Sequence, residues 1–133
     1  MASLSQLRTA LASQLAAQLG SSIKVEKVPP DTVTGATVVI GGMDTHEDAV
    51  FEGDRTTTVP VWVVVGRKQP DFIEKLDDLC DTGSGGVPAA IYADPTLGGV
   101  VDSAVVKSTG DYRDMTIADV SHYAATVMVE VFH

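Results

Sequence analysis

The sequence RTTTVPVWVVVG occupies residues 55–66 and predicts the central strand of a sheet. Its second half, residues 61–65, is a continuous run of β-branched and aromatic residues, which is typical of a strand covered on both faces. Its first half carries three threonines and then Pro60, whose nitrogen has no hydrogen to donate to a neighbouring strand. We therefore predict one long strand that runs from a buried centre to an exposed arm, residues 55–60, at an edge or a bulge.

The chain before this strand predicts a helix and two shorter strands. An amphipathic helix is expected over residues 3–19, where Ser3 and Gln6 match a capping box. Its apolar stripe is made of leucines at three- and four-residue spacing: Leu4, Leu7, Leu11, Leu15 and Leu19. Residues 23–28 alternate between apolar and charged side chains, which indicates a half-buried strand. Residues 36–40 are a second apolar strand, and we expect it to form a hairpin with the central one.

The chain after the central strand predicts two short helices and two more strands. The segments are a helix at 72–80, a helix at 87–93, a strand at 100–108, a polar loop at 109–116 and a last strand at 117–132. The resulting order is α-β-β-β-α-(α)-β-β. This order predicts an α+β fold with a mixed or antiparallel sheet of about five strands, on which the N-terminal helix and one or two further helices pack. The length predicts one domain, residues 1–133.

Composition and charge exclude several classes of protein. Eighteen acidic residues against nine basic ones give a net charge of −9, which argues against a surface that binds nucleic-acid phosphates. No apolar run is long enough for a membrane helix, and no secretory signal is visible at the N-terminus. The single cysteine, Cys80, excludes an intrachain disulfide and fits a reducing compartment. We expect a cytosolic protein that has no membrane partner.

An acidic connection, residues 43–54, is the strongest candidate for an ion site. Asp44, His46 and Asp48 fall at the first, third and fifth places of a calcium-loop pattern. The sixth place is Ala49 rather than glycine, however, and the twelfth is a basic residue rather than glutamate. A solvated loop without a metal or cofactor is therefore favoured. The alternative that stays open is a metal-dependent enzyme or ion-binding domain that uses Asp44, His46, Asp48 and Asp54.

No set of residues in the sequence has the spacing of a catalytic site. The three histidines share no metal-ligand spacing. Cys80 has no second cysteine at CxxC spacing and lies on the apolar side of its helix, which indicates packing in the core. The glycine-rich residues 83–86 lack the Lys-Ser or Lys-Thr that a P-loop requires, and no serine has a GxSxG environment. We predict that the protein is not an enzyme.

Several segments follow the order and spacing of a known pattern. They are the leucine-striped first helix, VPPDTV at 28–33, VVVGR at 63–67, the helix at 72–80, DPTLGGVVDS at 94–103 and the final strand. In these segments, which together span nearly the whole chain, the protein resembles the tail terminator proteins of long-tailed, siphovirus-like phages, especially those that infect actinobacteria. The acidic stretch at 42–54 does not match the pattern.

The resemblance implies a structural protein of the virion. By this resemblance, copies of the chain would form a ring, a hexamer, that caps the tail tube, ends its polymerisation and joins the tail to the head. The implied partners are further copies of the chain, the tail tube protein and a neck or stopper protein. The implied location is the tail and neck of the virion, and the host cytoplasm during assembly. The alternative within this class is a neck connector, an adaptor or stopper protein on the head side.

Polar segments are the expected contact surfaces of such a ring. Contacts with another subunit or with the tail tube are predicted at Arg55, Thr56, Thr57, Thr58, Val59, Pro60, Asp111, Tyr112, Arg113 and Asp114. The acidic loop is predicted to face the DNA channel with Asp44, Glu47, Asp48, Glu52 and Asp54. Because negative potential repels phosphates, DNA would pass through the ring without being bound specifically.

Overall fold

The computed structural model describes residues 3–19, 23–27, 36–47, 55–65, 70–81, 86–117 and 120–133. These residues form three helices and six strands. In chain order they are α1 (Leu4–Leu19), β1 (Lys24–Glu26), β2 (Thr37–Ile40), β3 (Asp44–Glu47), β4 (Arg55–Val64), α2 (Pro70–Cys80), α3 (Val87–Tyr92), β5 (Ser103–Ile117) and β6 (Val120–Phe132). The predicted α+β fold class is confirmed.

The strand that the sequence places at the centre, β4, is the centre of the sheet. The strands follow the order β1-β2-β4-β6-β5, and β3 pairs with β4 beside this path. β1 is parallel to β2, whereas the other described pairings are antiparallel. The sheet is therefore mixed. β2 is an antiparallel neighbour of β4 as predicted, but β3 lies between them in the chain, so the two do not form a simple hairpin. β4 pairs with β6 from Thr56, opposite Phe132, to Val64, opposite Ala124.

β2 and β3 lie along the same side of β4 and resemble one interrupted strand. Between their pairings with β4, residues 41–43 stand opposite only two residues, Val59 and Pro60. The extra residue defines a β-bulge. The backbone nitrogen of Gly41 donates a hydrogen bond to the carbonyl oxygen of Pro60 at 2.8 Å. The nitrogen and carbonyl of a strand residue point to the same side, so the nitrogen of Pro60, which has no hydrogen, also faces the bulge. The missing donor therefore falls where the pairing of the strands is already irregular.

The helices pack against the sheet through one hydrophobic cluster. Each of the three helices contributes to it, for example with Leu11 of α1, Leu76 of α2 and Ile91 of α3. Alternate residues of the two central strands meet these helices: Val59, Val61, Val63, Ala125, Val127, Val129 and Val131. Each fully buried Val or Leu side chain contributes about 1.5–3 kcal/mol to stability.

The opposite face of the sheet carries none of the described helices. Its centre is nevertheless buried, since Val39 and Val64 are 1% and 0% exposed. Trp62 and Met128 are half-buried on the same face. The apolar run of β4 is therefore covered on both faces as predicted, with Trp62 as its least buried member.

The first helix has the predicted cap and stripe. The backbone nitrogen of Ser3 donates to Oε1 of Gln6 at 2.9 Å, and the nitrogen of Gln6 donates to Oγ of Ser3 at 3.1 Å. This reciprocal pair is a capping box and satisfies two donors that the first turn leaves free. Leu7, Leu11 and Leu15 are buried, whereas Leu4 is exposed in the first turn.

The predicted loop at 109–116 is wrong, because β5 continues to Ile117. β5 also begins later than predicted, at Ser103, since residues 94–102 form turns and bends. The pairing of β5 with β6 shifts register between Val106 and Ser108 and again between Gly110 and Arg113. A polar segment is thus held extended by its pairing with β6.

Candidate functional site

Residues 55–60 are not an exposed arm. They form the first part of β4 and pair with β3 on one side and with β6 on the other. Thr57 and Val59 are both 0% exposed, whereas Thr56, Thr58 and Pro60 are half-buried. The prediction was wrong because the polar residues of β3 form a strand that covers this side of β4. A contact of residues 55–60 with another subunit stays a prediction, but a paired strand rather than a projecting arm would have to make it.

A chain of hydrogen bonds, buried at Thr57 and His133, explains the threonine at the centre of this segment. Oγ1 of Thr57 lies 2.9 Å from Oγ1 of Thr45 on β3. The same oxygen lies 2.5 Å from Nε2 of His133, which follows β6. Thr57 and His133 are both buried. Because buried polar groups need partners, Thr57 connects three segments of the sheet edge rather than presenting a surface for contacts.

The second predicted contact segment, residues 111–114, does project from the sheet. The last pair between β4 and β6 is Val64 with Ala124, and the β5–β6 hairpin continues beyond it. We call residues 111–117 and 120–123 the hairpin arm. None of the other described strands pairs with its residues 113–117 or 120–122. At its base the backbone nitrogen of Val65 donates a hydrogen bond to the carbonyl oxygen of Tyr123 at 2.9 Å, and His122 is buried. Asp111, Tyr112, Arg113 and Asp114 are all exposed.

A β-bulge lies at the base of the hairpin arm. Between the pairs formed by Gly110 and Arg113, β5 has one residue more than β6. Gly110 has a φ of +144° and Asp111 a φ of +54°. The first value is strained for any residue with a Cβ, and the second is one that aspartate tolerates better than most residues. Bulges bend a strand and re-aim its side chains, and here the re-aimed side chain is Tyr112.

Tyr112 joins the hairpin arm to α2. Its hydroxyl donates a hydrogen bond to Oδ1 of Asp77 at 2.5 Å. Its ring meets that of Tyr123, on the other strand of the arm, edge to face at a centroid distance of 6.0 Å and an angle of 72°. Burial of the phenol and the hydrogen bond to Asp77 raise the pKa of Tyr112 well above its usual range. The hydroxyl is therefore protonated, as a donor must be, at any physiological pH.

Cys80 lies in the core behind this contact. Its side chain belongs to the hydrophobic cluster and the residue is 5% exposed. Burial, with a smaller contribution from the charge of Asp77, raises the pKa of Cys80 to about 11. The predicted packing role is confirmed, because a buried thiol that stays protonated at neutral pH is a poor nucleophile.

The acidic connection is only partly a loop. Asp44, His46 and Glu47 belong to β3, so the prediction of a loop is wrong for them. Their side chains lie outside the described part of the structure, as do residues Asp48, Glu52 and Asp54. Their role at a DNA channel therefore stays a prediction, and so does the metal alternative. Among the residues that are described, no group of three or more His, Cys, Asp or Glu could hold a metal ion.

Asp77 and Tyr123 are the residues of the arm contact that the sequence analysis missed. Asp77 is separated from Tyr112 by 35 positions, and a single sequence shows no sign of that contact. The periodicity of α2 places Leu76, Leu79 and Cys80 inside and leaves Glu74, Asp77 and Asp78 exposed. Only the three-dimensional structure distinguishes Asp77 from its exposed acidic neighbours. As for membranes, no described helix combines the length and apolar character needed to cross one.

The chain matches no protein-family model and no curated protein sequence. These comparisons therefore assign no function to the chain.

Proposed function

We propose that the protein is a tail terminator: a ring-forming structural protein that caps a phage tail tube and ends its polymerisation. The order and spacing of the resembling segments carry this assignment. The structural feature that supports it is the hairpin arm, which carries four consecutive exposed residues beyond the sheet. Such a projection reaches a neighbouring subunit more readily than a flat surface does.

The sheet is compatible with contacts of the kind a ring requires. In a ring each subunit uses two different surfaces, one toward each neighbour. β5 stands at one edge of the sheet, and β1 and β3 stand toward the other. The hairpin arm belongs to the β5 edge, so a neighbour that receives it must do so with a different surface. If each of six subunits makes this head-to-tail contact with the next and is rotated by the same angle, the six form a closed ring.

The partners and location follow from the assignment. One face of the ring would bind the last layer of the tail tube protein, and the other would bind a neck or stopper protein. The protein would be found in the tail and neck of the virion, and in the host cytoplasm during assembly. DNA would pass through the ring without sequence-specific contact, because repeating a chain of net charge −9 around a channel gives a strongly negative lining.

Electron microscopy of negatively stained mixtures tests the assignment. Purified protein is added to assembled tail tubes and, separately, to capsids that carry a portal. A ring at one end of tubes of uniform length is the expected result. If the capsids acquire the density and the tubes stay bare, the protein is the alternative neck connector. If neither acquires it, both assignments are wrong, and thermal stability with added Ca²⁺, Mg²⁺ or Zn²⁺ becomes the test of the metal alternative.

A charge reversal tests whether the hairpin arm makes the contact. Arg113→Glu replaces the cation that the arm presents with an anion. If Arg113 faces an acidic partner surface, the anion is repelled, and we expect the fraction of capped tubes to fall about tenfold or more. Lys75→Glu is the matched control, because Lys75 is an exposed cation on α2 and its reversal changes the net charge equally. Equal capping by the two variants would exclude the arm from the contact.

The acidic residues predicted at the channel have a test of their own. Lysine substitutions at Asp44, Glu47, Asp48, Glu52 and Asp54 should slow DNA ejection from assembled virions, because a positive lining attracts phosphates. The effect should weaken as the salt concentration rises. Ejection at the wild-type rate in low salt would remove these residues from the channel.

A further inference from the structure

The face of the sheet without described helices has a small recess at the base of the hairpin arm. Two neighbouring pairs between β5 and β6 line it, Ser108 with Met128 and Gly110 with Thr126. Both β5 residues are small, and a Cβ added at Gly110 would meet nothing within 4 Å. Because no side chain fills the space opposite Thr126, a cavity of about 220 Å³ remains there and opens to solvent.

Oxygen atoms dominate the polar lining of this recess. Thr126 is only 7% exposed, and its hydroxyl makes no hydrogen bond within the part of the chain that the structure describes. Ser108 adds a second hydroxyl, and Asp111 adds a carboxylate at the rim. The ionic partner of Asp111, Arg113 at 3.7 Å, is solvent-exposed, so this pair is weak enough for another cation to share the carboxylate.

The size and chemistry of the recess fit one lysine side chain. Sites for small molecules usually measure about 300–1,000 Å³, and the recess is smaller. An anion would be repelled by Asp111, and an apolar group would cover the Thr126 hydroxyl without giving it a partner. A lysine can lay its aliphatic stem against Met128 while its ammonium donates to the hydroxyl and carboxylate oxygens.

A lysine stands at the same level on the opposite edge of the sheet. One row of paired residues crosses the sheet from the recess to β1: Gly110, Thr126, Trp62, Val39 and Glu26. Lys27 follows Glu26 in the direction of Met128, so its level lies between the two pairs that line the recess. Its side chain is exposed. Its backbone is held in place, because Arg8 donates a hydrogen bond to its carbonyl oxygen at 2.5 Å.

The other exposed cations in the described ranges are less suitable. Lys107 and Arg113 each form an ion pair with a carboxylate of their own chain, and both belong to the same edge as the recess. Lys75 lies on α2, which packs on the other face of the sheet. Lys24 begins β1, further from the level of the recess. Lys27 is therefore the cation that the register places nearest to that level.

We propose that Lys27 of one copy of the chain inserts into this recess on the next copy. In a closed ring neighbours are related by rotation alone, so two surfaces that touch lie at the same height along the ring axis. A lysine and a recess at one level on opposite edges of a sheet meet that condition when the strands run roughly along the axis. The contact is stated for two copies of the chain, and its place in a ring rests on the proposed function.

Charge favours this contact over others between copies. Each chain has a net charge of −9, so most surfaces of two copies repel one another. A cation of one copy that meets Asp111 of the next replaces repulsion by attraction at that point. The pairing therefore selects the orientation in which the β1 edge of one sheet approaches the β5 edge of the next.

Sedimentation equilibrium of the purified chain, without tails, tests the contact through a double-mutant cycle. Lys27→Met removes the charge and keeps the stem, and Asp111→Asn removes a charge where the positive φ is one that asparagine tolerates. We expect each variant to raise the dissociation constant between copies about fivefold or more. The double variant should be no weaker than the weaker single one, because both remove the same contact. Additive effects, or a wild-type chain that stays monomeric at the highest concentration reached, would overturn the inference.

Lys75→Met and Asp114→Asn are the matched controls. They remove the same two charges from exposed residues that do not line the recess. Their dissociation constants should stay within about twofold of the wild-type value, because isolated surface charges contribute little. Equal weakening by the test and control variants would mean that net charge alone governs association, and would also overturn the inference.

Ser108→Leu separates the shape of the recess from its charge. Ser108 is exposed, so a leucine there fills the recess without entering the core. We expect association to weaken about tenfold or more, because the Lys27 side chain can no longer enter. Association at the wild-type level would overturn the insertion. Bare tail tubes together with a coupled cycle would reject the proposed function alone, whereas capped tubes together with additive effects would reject this contact alone.

Discussion

Nη1 of Arg8 on α1 lies 2.8 Å from the carbonyl oxygen of Ile40, the last residue of β2. The same guanidinium donates to the carbonyl of Gly41 at 3.0 Å and to that of Lys27, just after β1, at 2.5 Å. One side chain therefore fastens the first helix to the ends of two parallel strands. These carbonyls stand where the strands end and regular pairing can no longer satisfy them.

Replacing this guanidinium should destabilise the fold. Arg8→Met keeps much of the aliphatic stem and removes three hydrogen bonds, and we expect a loss of about 2–3 kcal/mol in the free energy of unfolding. Arg8→Lys should lose less, because an ammonium can still reach some of the carbonyls. Urea denaturation measures the difference. Lys75→Met, which removes an exposed cation from α2, is the control and should stay within about 0.5 kcal/mol of the wild type.

Adding one methyl group at the β-bulge should also be costly. A Cβ at Gly41 would lie 2.9 Å from Cγ of Pro60, which is closer than such atoms approach in folded proteins, and 3.0 Å from Cζ2 of Trp62, which is a tight contact. We expect Gly41→Ala to destabilise the protein by about 1–3 kcal/mol. Gly42→Ala is a matched control one residue later, since a Cβ there would meet nothing within 4 Å. Equal stability of the two variants in urea would show that the bulge adjusts freely.

The helix and the central strand could be predicted because their signals are local. The capping box joins Ser3 to Gln6 within one turn, and the leucine stripe repeats at the period of the helix. The continuous apolar run in the second half of β4 likewise indicates by itself that both faces of the strand are buried. These features require no knowledge of distant parts of the chain.

Two of the wrong predictions have a common physical cause. Residues 44–47 and 109–116 are polar, and a polar segment forms a strand only when a neighbouring strand pairs with it, which its own residues do not show. Pairing with β4 and β6 supplies that partner in both cases. The same reasoning explains why the contact of Tyr112 with Asp77 could not be foreseen, since it depends on where a bulge falls in the pairing of β5 with β6.

Breaking the chain of hydrogen bonds through Thr57 should destabilise the edge formed by β3. Thr57→Val keeps the shape of the side chain and removes the hydroxyl that lies between Thr45 and His133. The imidazole of His133 then loses a buried partner, at an expected cost of about 1–3 kcal/mol. Thr58→Val changes the half-buried neighbour on the opposite face and should have little effect. A thermal or urea unfolding curve for Thr57→Val that overlays that of Thr58→Val would contradict the prediction.

The turn that precedes β5 should make stability depend on pH. The carboxylate of Asp94 accepts hydrogen bonds from Oγ1 of Thr96 at 2.6 Å and from the backbone nitrogen of Gly98 at 2.9 Å. The bond from the Thr96 side chain, followed by that from Gly98, lowers the pKa of Asp94 below its usual range. The folded state therefore favours the ionised form, so its contribution is complete above the pKa of the unfolded chain, about 3.9, and is lost as the pH falls through the lower folded value.

Asp94→Ala should accordingly reduce the free energy of unfolding at pH 7 and reduce it less at pH 3, where the wild-type carboxylate is itself becoming protonated. Urea denaturation of both proteins at the two pH values measures the change. Asp102→Asn alters an exposed carboxylate a few residues away and serves as the control. A deficit for Asp94→Ala that is the same at pH 3 and pH 7 would show that the turn depends on packing rather than on the charged carboxylate.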